Sequence, residues 1–137
     1  MYEERRRVWT ERLERPAPNQ LVLLAAEGER LVGFACAYGA DDPTWGTLLD
    51  NLHVRREHQS QGVGERLVAE VTAWCRASYP HCGLHLWVLE QNVRARRFYR
   101  RLGASDCGGE LSVPAGGGQI HSSRYAWSVL PALPRTE

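Results

Sequence analysis

Apolar positions recur along the chain with two periods, and each period predicts an element. Over residues 2–14, Tyr2, Val8, Trp9 and Leu13 fall near one face with Arg and Glu opposite, which predicts a helix ended by Pro16 and Pro18. Two apolar runs follow, at residues 20–26 and 31–38, separated by Glu27-Gly28-Glu29-Arg30. That pattern predicts a hairpin. After the turn formers of residues 39–43, residues 47–54 read as a third strand and residues 62–78 as a helix. In that helix Val63, Leu67, Val68, Val71, Trp74 and Cys75 form one apolar stripe facing a core. Residues 83–89 read as a strand and 92–102 as a shorter helix, with Ala95, Phe98, Tyr99 and Leu102 on one face and Gly103 as its stop. The tail reads as two strands, the better marked at residues 119–130, around the loop Pro114-Ala115-Gly116-Gly117-Gly118. The order is helix, three strands, helix, strand, helix, two strands. It predicts a mixed α/β, α+β-like domain with one central sheet flanked by helices, spanning residues 1–137 as a single unit.

Composition narrows the function. Seventeen basic residues, all Arg, stand against sixteen acidic ones for a net charge of +1, which argues against nucleic-acid binding through bulk charge. No stretch approaches the ~20 apolar residues of a membrane span, so no membrane partner is expected. The charged start Met1-Tyr2-Glu3-Glu4-Arg5 is unlike an export signal, and a cytoplasmic protein with reduced thiols is expected. Cys36, Cys75, Cys82 and Cys107 form no C-x-x-C pair, and the five histidines are scattered, so no metal site is expected. Cys36 and Cys75 lie in apolar surroundings, where a thiol behaves as a small hydrophobe.

Two stretches carry chemistry. The first runs from the strand 47–54 through Gln59-Ser60-Gln61-Gly62-Val63-Gly64 into the long helix. Glycines at a helix start let the backbone approach a ligand and turn free N–H groups toward one point, to which the helix adds about half a positive charge. Such a site suits phosphate. It lacks the Gly-Lys-Ser/Thr of a P-loop and the third glycine of a dinucleotide fingerprint. The second stretch runs from Leu84 to Ala104: the strand Leu84-His85-Leu86-Trp87-Val88-Leu89 leads through Glu90-Gln91 to Asn92, which can cap the helix Val93-Arg94-Ala95-Arg96-Arg97-Phe98-Tyr99-Arg100-Arg101-Leu102 ahead of Gly103.

Together these stretches resemble the GNAT superfamily of N-acetyltransferases. The resemblance rests on Q-x-x-G-x-G at Gln59, Gly62 and Gly64, and on N-x-x-A-x-x-F-Y-x-x-L-G at Asn92, Ala95, Phe98, Tyr99, Leu102 and Gly103. With the flanking strands it covers residues 47–104. It implies an acetyl-CoA-dependent transfer to a primary amine of a small molecule or peptide, by direct attack in a ternary complex. Acetyl-CoA, the co-substrate, would lie where the parallel strands 47–54 and 83–89 splay apart. The backbone at Leu52, His53 and Val54 would hold the pantetheine arm. The N–H groups of Gln59, Ser60, Gln61, Gly62, Val63, Gly64 and Glu65 would cradle the pyrophosphate, with Arg66 adding charge. Asn92 would contact the far side of the cofactor, and Arg96 or Arg97 would reach its 3′-phosphate. Tyr99 would be the general acid. A phenol titrates near ~10 and a thiol near ~8.5, so Tyr99 can donate to the departing thiolate.

The base is less marked. In several members of that superfamily a Glu stands where this chain has Leu48 or Trp87. Strict alternation puts Leu48, Asp50 and Leu52 on one face and His53 on the other, making Asp50 the first candidate base and Glu90 the second. Asp41, Asp42, Asp50 and Glu90 are expected near the gap, favouring a cationic acceptor. Arg94, Arg96, Arg97, Arg100 and Arg101 read as the solvated face of a short helix, and Trp45, Tyr125 and Trp127 as packing residues. The rival reading is a non-catalytic acyl-CoA-binding or sensor module, with a nucleotide-binding α/β domain a distant third. The superfamily usually opens with a strand and a helix before the helix placed at residues 2–14; unless the numbered start is not the natural one and the missing elements belong to a longer chain, this chain starts too late to have both. Residues 20–26 would then be an open sheet edge, which predicts a homodimer formed along it.

Overall fold

The computed structural model describes residues 8–12, 18–112 and 117–130. The first segment departs from expectation. Val8–Arg12 is a strand, β1, paired antiparallel with Gln20–Glu27, β2, so that Val8 lies opposite Glu27 and Arg12 opposite Leu23. The rest of the helix predicted over 2–14 lies outside the described residues. Val8, Trp9 and Thr10 are β-branched or aromatic, types favoured in strands, and their pairing supplies partners to backbone groups along β2. Over so short a window two apolar residues fit either period. The open edge predicted at residues 20–26 is therefore covered, and the reason for a homodimer there disappears.

The other elements fall near where the pattern places them, except that the strand predicted over 31–38 continues through residues 39–42, which the turn formers place in a loop. Arg30–Asp42 is β3, Gly46–Val54 β4, Val63–Ser78 α1, Leu84–Leu89 β5, Val93–Arg101 α2, Ser105–Ser112 β6 and Ile120–Trp127 β7. Gly28, at φ 64, makes the β2–β3 turn. The described residues form a seven-stranded sheet in the order β1-β2-β3-β4-β5-β7-β6. All neighbours are antiparallel except β4 and β5.

Both helices pack on one face. The predicted α1 stripe, Val63, Leu67, Val68, Val71, Trp74 and Cys75, is buried in a single cluster with Leu21, Leu23, Ala35, Ala37, Leu49, Leu84, Leu86, Val88, Tyr125 and Trp127 from the sheet. Burial pushes the Cys75 thiol up to about 11, as expected of a thiol used as a hydrophobe. Cys36 is only half-buried, on the other face, where its sulfur accepts from Gln20 Nε2 at 3.2 Å. α2 is fastened to the same core by Tyr99 and Leu102, both 6% exposed. It stops as predicted at Gly103, φ 102, while Trp127 Nε1 donates to the Leu102 carbonyl at 3.0 Å.

Candidate active site

Two features of β4 build the site. The first is its partnership with β5, which consists of two residue pairs only, Thr47–Leu84 and Leu48–His85, plus a Thr47 N–H to Gly83 carbonyl bond of 2.9 Å. Beyond these the strands separate, leaving β4 from residue 49 and β5 from residue 86 without a ladder between them. This is the predicted splay. On its other side β4 stays paired with β3 as far as Val54.

The second feature is a bulge. Asn51 lies opposite Cys36 and Leu49 opposite Ala37, so Asp50 is an extra residue with no partner on β3. The extra residue reverses the facing of everything after it. Thr47 and Leu49 face the helices before the bulge, and Leu52 and Val54 pack on the same core after it. The alternation expected for Leu48, Asp50 and Leu52 is thus broken, and Leu48 and Leu52 lie on opposite faces. His53 is exposed on the open face, 5.7 Å between ring centroids from Phe34. Asp50 is exposed at the gap, its carboxylate accepting from Asn51 Nδ2 at 3.2 Å. Glu90 is exposed in the turn just past β5, where its backbone carbonyl is bound by Arg96.

At the wide end of the gap the chain turns through Arg56–His58, a single 3-10 turn, into the glycine segment. His58 pins this turn. Its side chain is 3% exposed, and Nε2 lies 3.2 Å from Glu27 Oε1 at the end of β2. Gln59 Nε2 returns to the Val54 carbonyl at 3.1 Å, and Gln61 Nε2 to the Glu57 carbonyl at 3.2 Å. Ser60, φ 69, and Gly62, φ 86, take left-handed conformations, and no side chain caps α1. Left-handed residues ahead of an uncapped helix turn consecutive N–H groups to one side, which is an anion-binding concavity. A Cβ placed on Gly62 meets nothing within 4 Å, so the concavity is open there. Gly64 differs: its Cβ would come within 3.2 Å of Phe98 Cζ, so this glycine lets α2 approach α1 instead of lining the concavity. Arg94 Nη2 reaches Ser60 Oγ at 3.0 Å and brings positive charge to the rim.

α2 supplies the remaining candidates. Asn92 caps it, Oδ1 accepting from Ala95 N–H at 3.1 Å. Arg96 is engaged inward, with Nε on the Tyr125 hydroxyl at 3.2 Å and Nη1 on the Glu90 carbonyl at 3.0 Å. Arg97 is exposed and has no hydrogen bond or ion pair with a described residue. Arg100 and Arg101 lie over the rings of Tyr125 and Phe98, so the predicted solvated face is partly a packing face. Tyr99 is enclosed by Phe98 and Trp127, both edge-on. Burial holds its phenol well above the usual range, and no described residue hydrogen-bonds its hydroxyl. That is a protonated group with an uncommitted donor.

On the open face, Asp41 and Asp50 both raise the Tyr38 phenol, after the larger effects of its hydrogen bond with Cys36, the Cys36 charge and burial. Asp41 and Asp42 act on His85. Three of the four acidic residues expected near the gap thus lie close enough to Tyr38 or His85 to act on them. A neighbouring cluster escaped the sequence reading. Arg124 on β7 is stacked between Trp45 and Trp87, its guanidinium carbon 4.5 and 4.4 Å from the two ring centroids. Trp45 therefore does more than pack. The signal in the sequence was parity: Trp87 and Arg124 are cross-strand partners, which shows only once β5 and β7 are known to be neighbours.

A sequence profile of the acetyltransferase (GNAT) family matches residues 1–104. The chain belongs to this family. Solved structures share the fold. Arabidopsis thaliana NAA60 in complex with a bisubstrate analogue superposes with a TM-score of 0.69 at 18% identity, over 81% of this chain and 77% of that one. Nourseothricin acetyltransferase gives 0.72 at 24%, over 85% and 67% of the two chains. A GNAT family acetyltransferase from Elizabethkingia anophelis with acetyl-CoA bound gives 0.70 at 13%, over 89% and 98%.

Proposed function

We propose that this protein transfers the acetyl group of acetyl-CoA to the amine of a small molecule or peptide by direct attack in a ternary complex. The observation that carries this reading is the gap itself: a parallel strand pair that stops after two residue pairs and opens toward an uncapped helix start with left-handed Ser60 and Gly62. Acetyl-CoA supplies the activated acetyl thioester. The N–H groups of residues 59–65 hold the pyrophosphate, as anions are held at helix starts. The backbone groups of β4 around Leu52, His53 and Val54 that face away from β3 hold the arm. Arg66, Asn92 and an arginine of α2 complete the cofactor contacts. With Arg96 already engaged on Tyr125 and Glu90, Arg97 is the better placed for the 3′-phosphate.

Tyr99, protonated across the physiological range, donates its proton to the thiolate as the carbon–sulfur bond breaks. Asp50, in the bulge, takes the amine proton directly or through water, and Glu90 is the second candidate for that task. The test is release of free thiol from acetyl-CoA against a panel of amines, with Tyr99→Phe alongside. Loss of turnover with CoA affinity kept supports the reading. Normal CoA binding with no acceptor turned over would establish the sensor alternative instead.

A further inference from the structure

The stacked arginine on the open face has a consequence for the acceptor. Its place in the fold is fixed by the gap. His85 belongs to the last residue pair joining β4 and β5, and Trp87 is the first open-face residue of β5 beyond it. Arg124 is the cross-strand partner of Trp87, and Trp45 opens β4 from the turn at residues 42–46. The cluster therefore stands at the narrow end of the gap, on the face opposite the two helices. An acceptor must come from this face, because the core fills the other.

The guanidinium is held on three sides. Two indole faces clamp it, and Nε donates to His85 Nδ1 at 3.3 Å. His85 is 2% exposed, so the packing around it keeps this acceptor for Arg124 in place, and its Nε2 has no hydrogen-bond partner among the described residues. Asp42 fixes the Trp45 side, its Oδ1 accepting the N–H groups of Thr44 and Trp45 at 2.8 and 2.9 Å. Neither Asp42 nor Asp41 forms an ion pair with Arg124. The Nη1 and Nη2 groups thus have no hydrogen-bond partner among the described residues. An arginine fork is matched to the two oxygens of a carboxylate, and a fork already immobilised gives up little entropy on binding one.

We propose that Arg124 is the anchor for a carboxylate on the acceptor, so that the preferred acceptor is an amino acid or a related amine bearing a carboxylate. This rests on the transferase reading above and deepens it. The amine end lies on the side of Asp50 and Asp41, which suits its ammonium form before deprotonation, and the acid end lies on Arg124. Trp45 and Trp87 hold the fork in place and border the bound ligand.

The experiment has two arms. In the first, wild type, Arg124→Gln and Arg124→Lys are titrated with amino acids and with the matching decarboxylated amines (lysine and cadaverine, phenylalanine and phenethylamine), with and without CoA, reading tryptophan fluorescence. Circular dichroism checks that the variants fold. Saturable binding by amino acids is expected in wild type, weakened about 30-fold or more in both variants, since Lys keeps the charge but not the fork. In the second arm the same pairs are assayed for acetyl transfer. The amino acid of each pair should have the higher kcat/KM, and Arg124→Gln should raise its KM while sparing the decarboxylated amine. Equal use of both members of a pair, equal losses on both in Arg124→Gln, or a flat titration would overturn the proposal. Specific amino-acid binding without any acetyl transfer would uphold the anchor and defeat the transferase reading.

Discussion

Gly64 on α1 and Phe98 on α2 pack closely enough that a Cβ on Gly64 would stand 3.2 Å from Phe98 Cζ, so even a methyl group would need the ring to give by a few tenths of an ångström. The two glycines of the Q-x-x-G-x-G motif therefore do different work. Gly62→Val places a branched side chain in open space at a φ of 86, and should cost about 1–2 kcal/mol through the backbone while abolishing CoA binding. Gly64→Val should cost about 1–3 kcal/mol through overpacking, and Phe98→Leu added to it should restore part of that. Thermal melts and CoA calorimetry on the three variants separate the roles. Equal stability and equal CoA affinity in both single variants would defeat the distinction.

Tyr99→Phe should leave the melting temperature nearly unchanged, because no described residue hydrogen-bonds the hydroxyl it removes. Turnover should fall by about 10²–10⁴, the usual contribution of a positioned acid. A wild-type rate that persists without a step through pH ~10 would further show that the phenol does not titrate at its ordinary value there.

Asn92→Ala should cost about 1 kcal/mol, because its Oδ1 caps α2. Asn92→Asp keeps that acceptor and should retain stability. If both variants lose CoA affinity, the Nδ2 amide is the cofactor contact; if only Ala does, the cap is what matters. Chemical denaturation and calorimetry supply the two readings.

His85 ties stability to pH. Burial first, and the Arg124 charge second, hold its pKa below the ordinary value. The unfolded chain takes up a proton near pH ~6.5 that the folded state resists, so this contribution is complete above that pH and is lost as pH falls toward the lower folded value. The loss of stability between pH 7 and pH 5 should therefore be shallower in His85→Gln. Parallel slopes in urea melts across that window would show that His85 carries none of it.

Much of this molecule was legible because its signals are local. The α1 stripe, the Asn92 cap and the Gly103 stop each depend on residues within a few positions of one another, and all three are in place. What was lost depends on partners distant in sequence. Val8-Trp9 fits a helix until β2 offers a ladder to pair with. The facing of Leu52 and His53 turns on one unpaired residue, Asp50, which nothing in the run Leu48-Leu49-Asp50-Asn51-Leu52 marks as extra. Arg124 looks like any exposed strand residue until the strand order puts Trp87 beside it and the β3–β4 turn brings Trp45 over it.

The short pairing between β4 and β5 also bears on how the protein moves. A sheet resists bending because its ladders are continuous, and here the continuity is interrupted in the middle. Four strands, β1 to β4, form one panel and three, β5, β7 and β6, another, and the seam between them is two residue pairs long. Backbone amides that point into the seam beyond those pairs have no strand to shield them, so they should exchange with solvent quickly while their neighbours on the β3 and β7 sides exchange slowly. A ligand that fills the seam joins two panels into one plate. Its arrival would register as a stiffening of the whole sheet, reaching strands it never touches, with little change in their average positions.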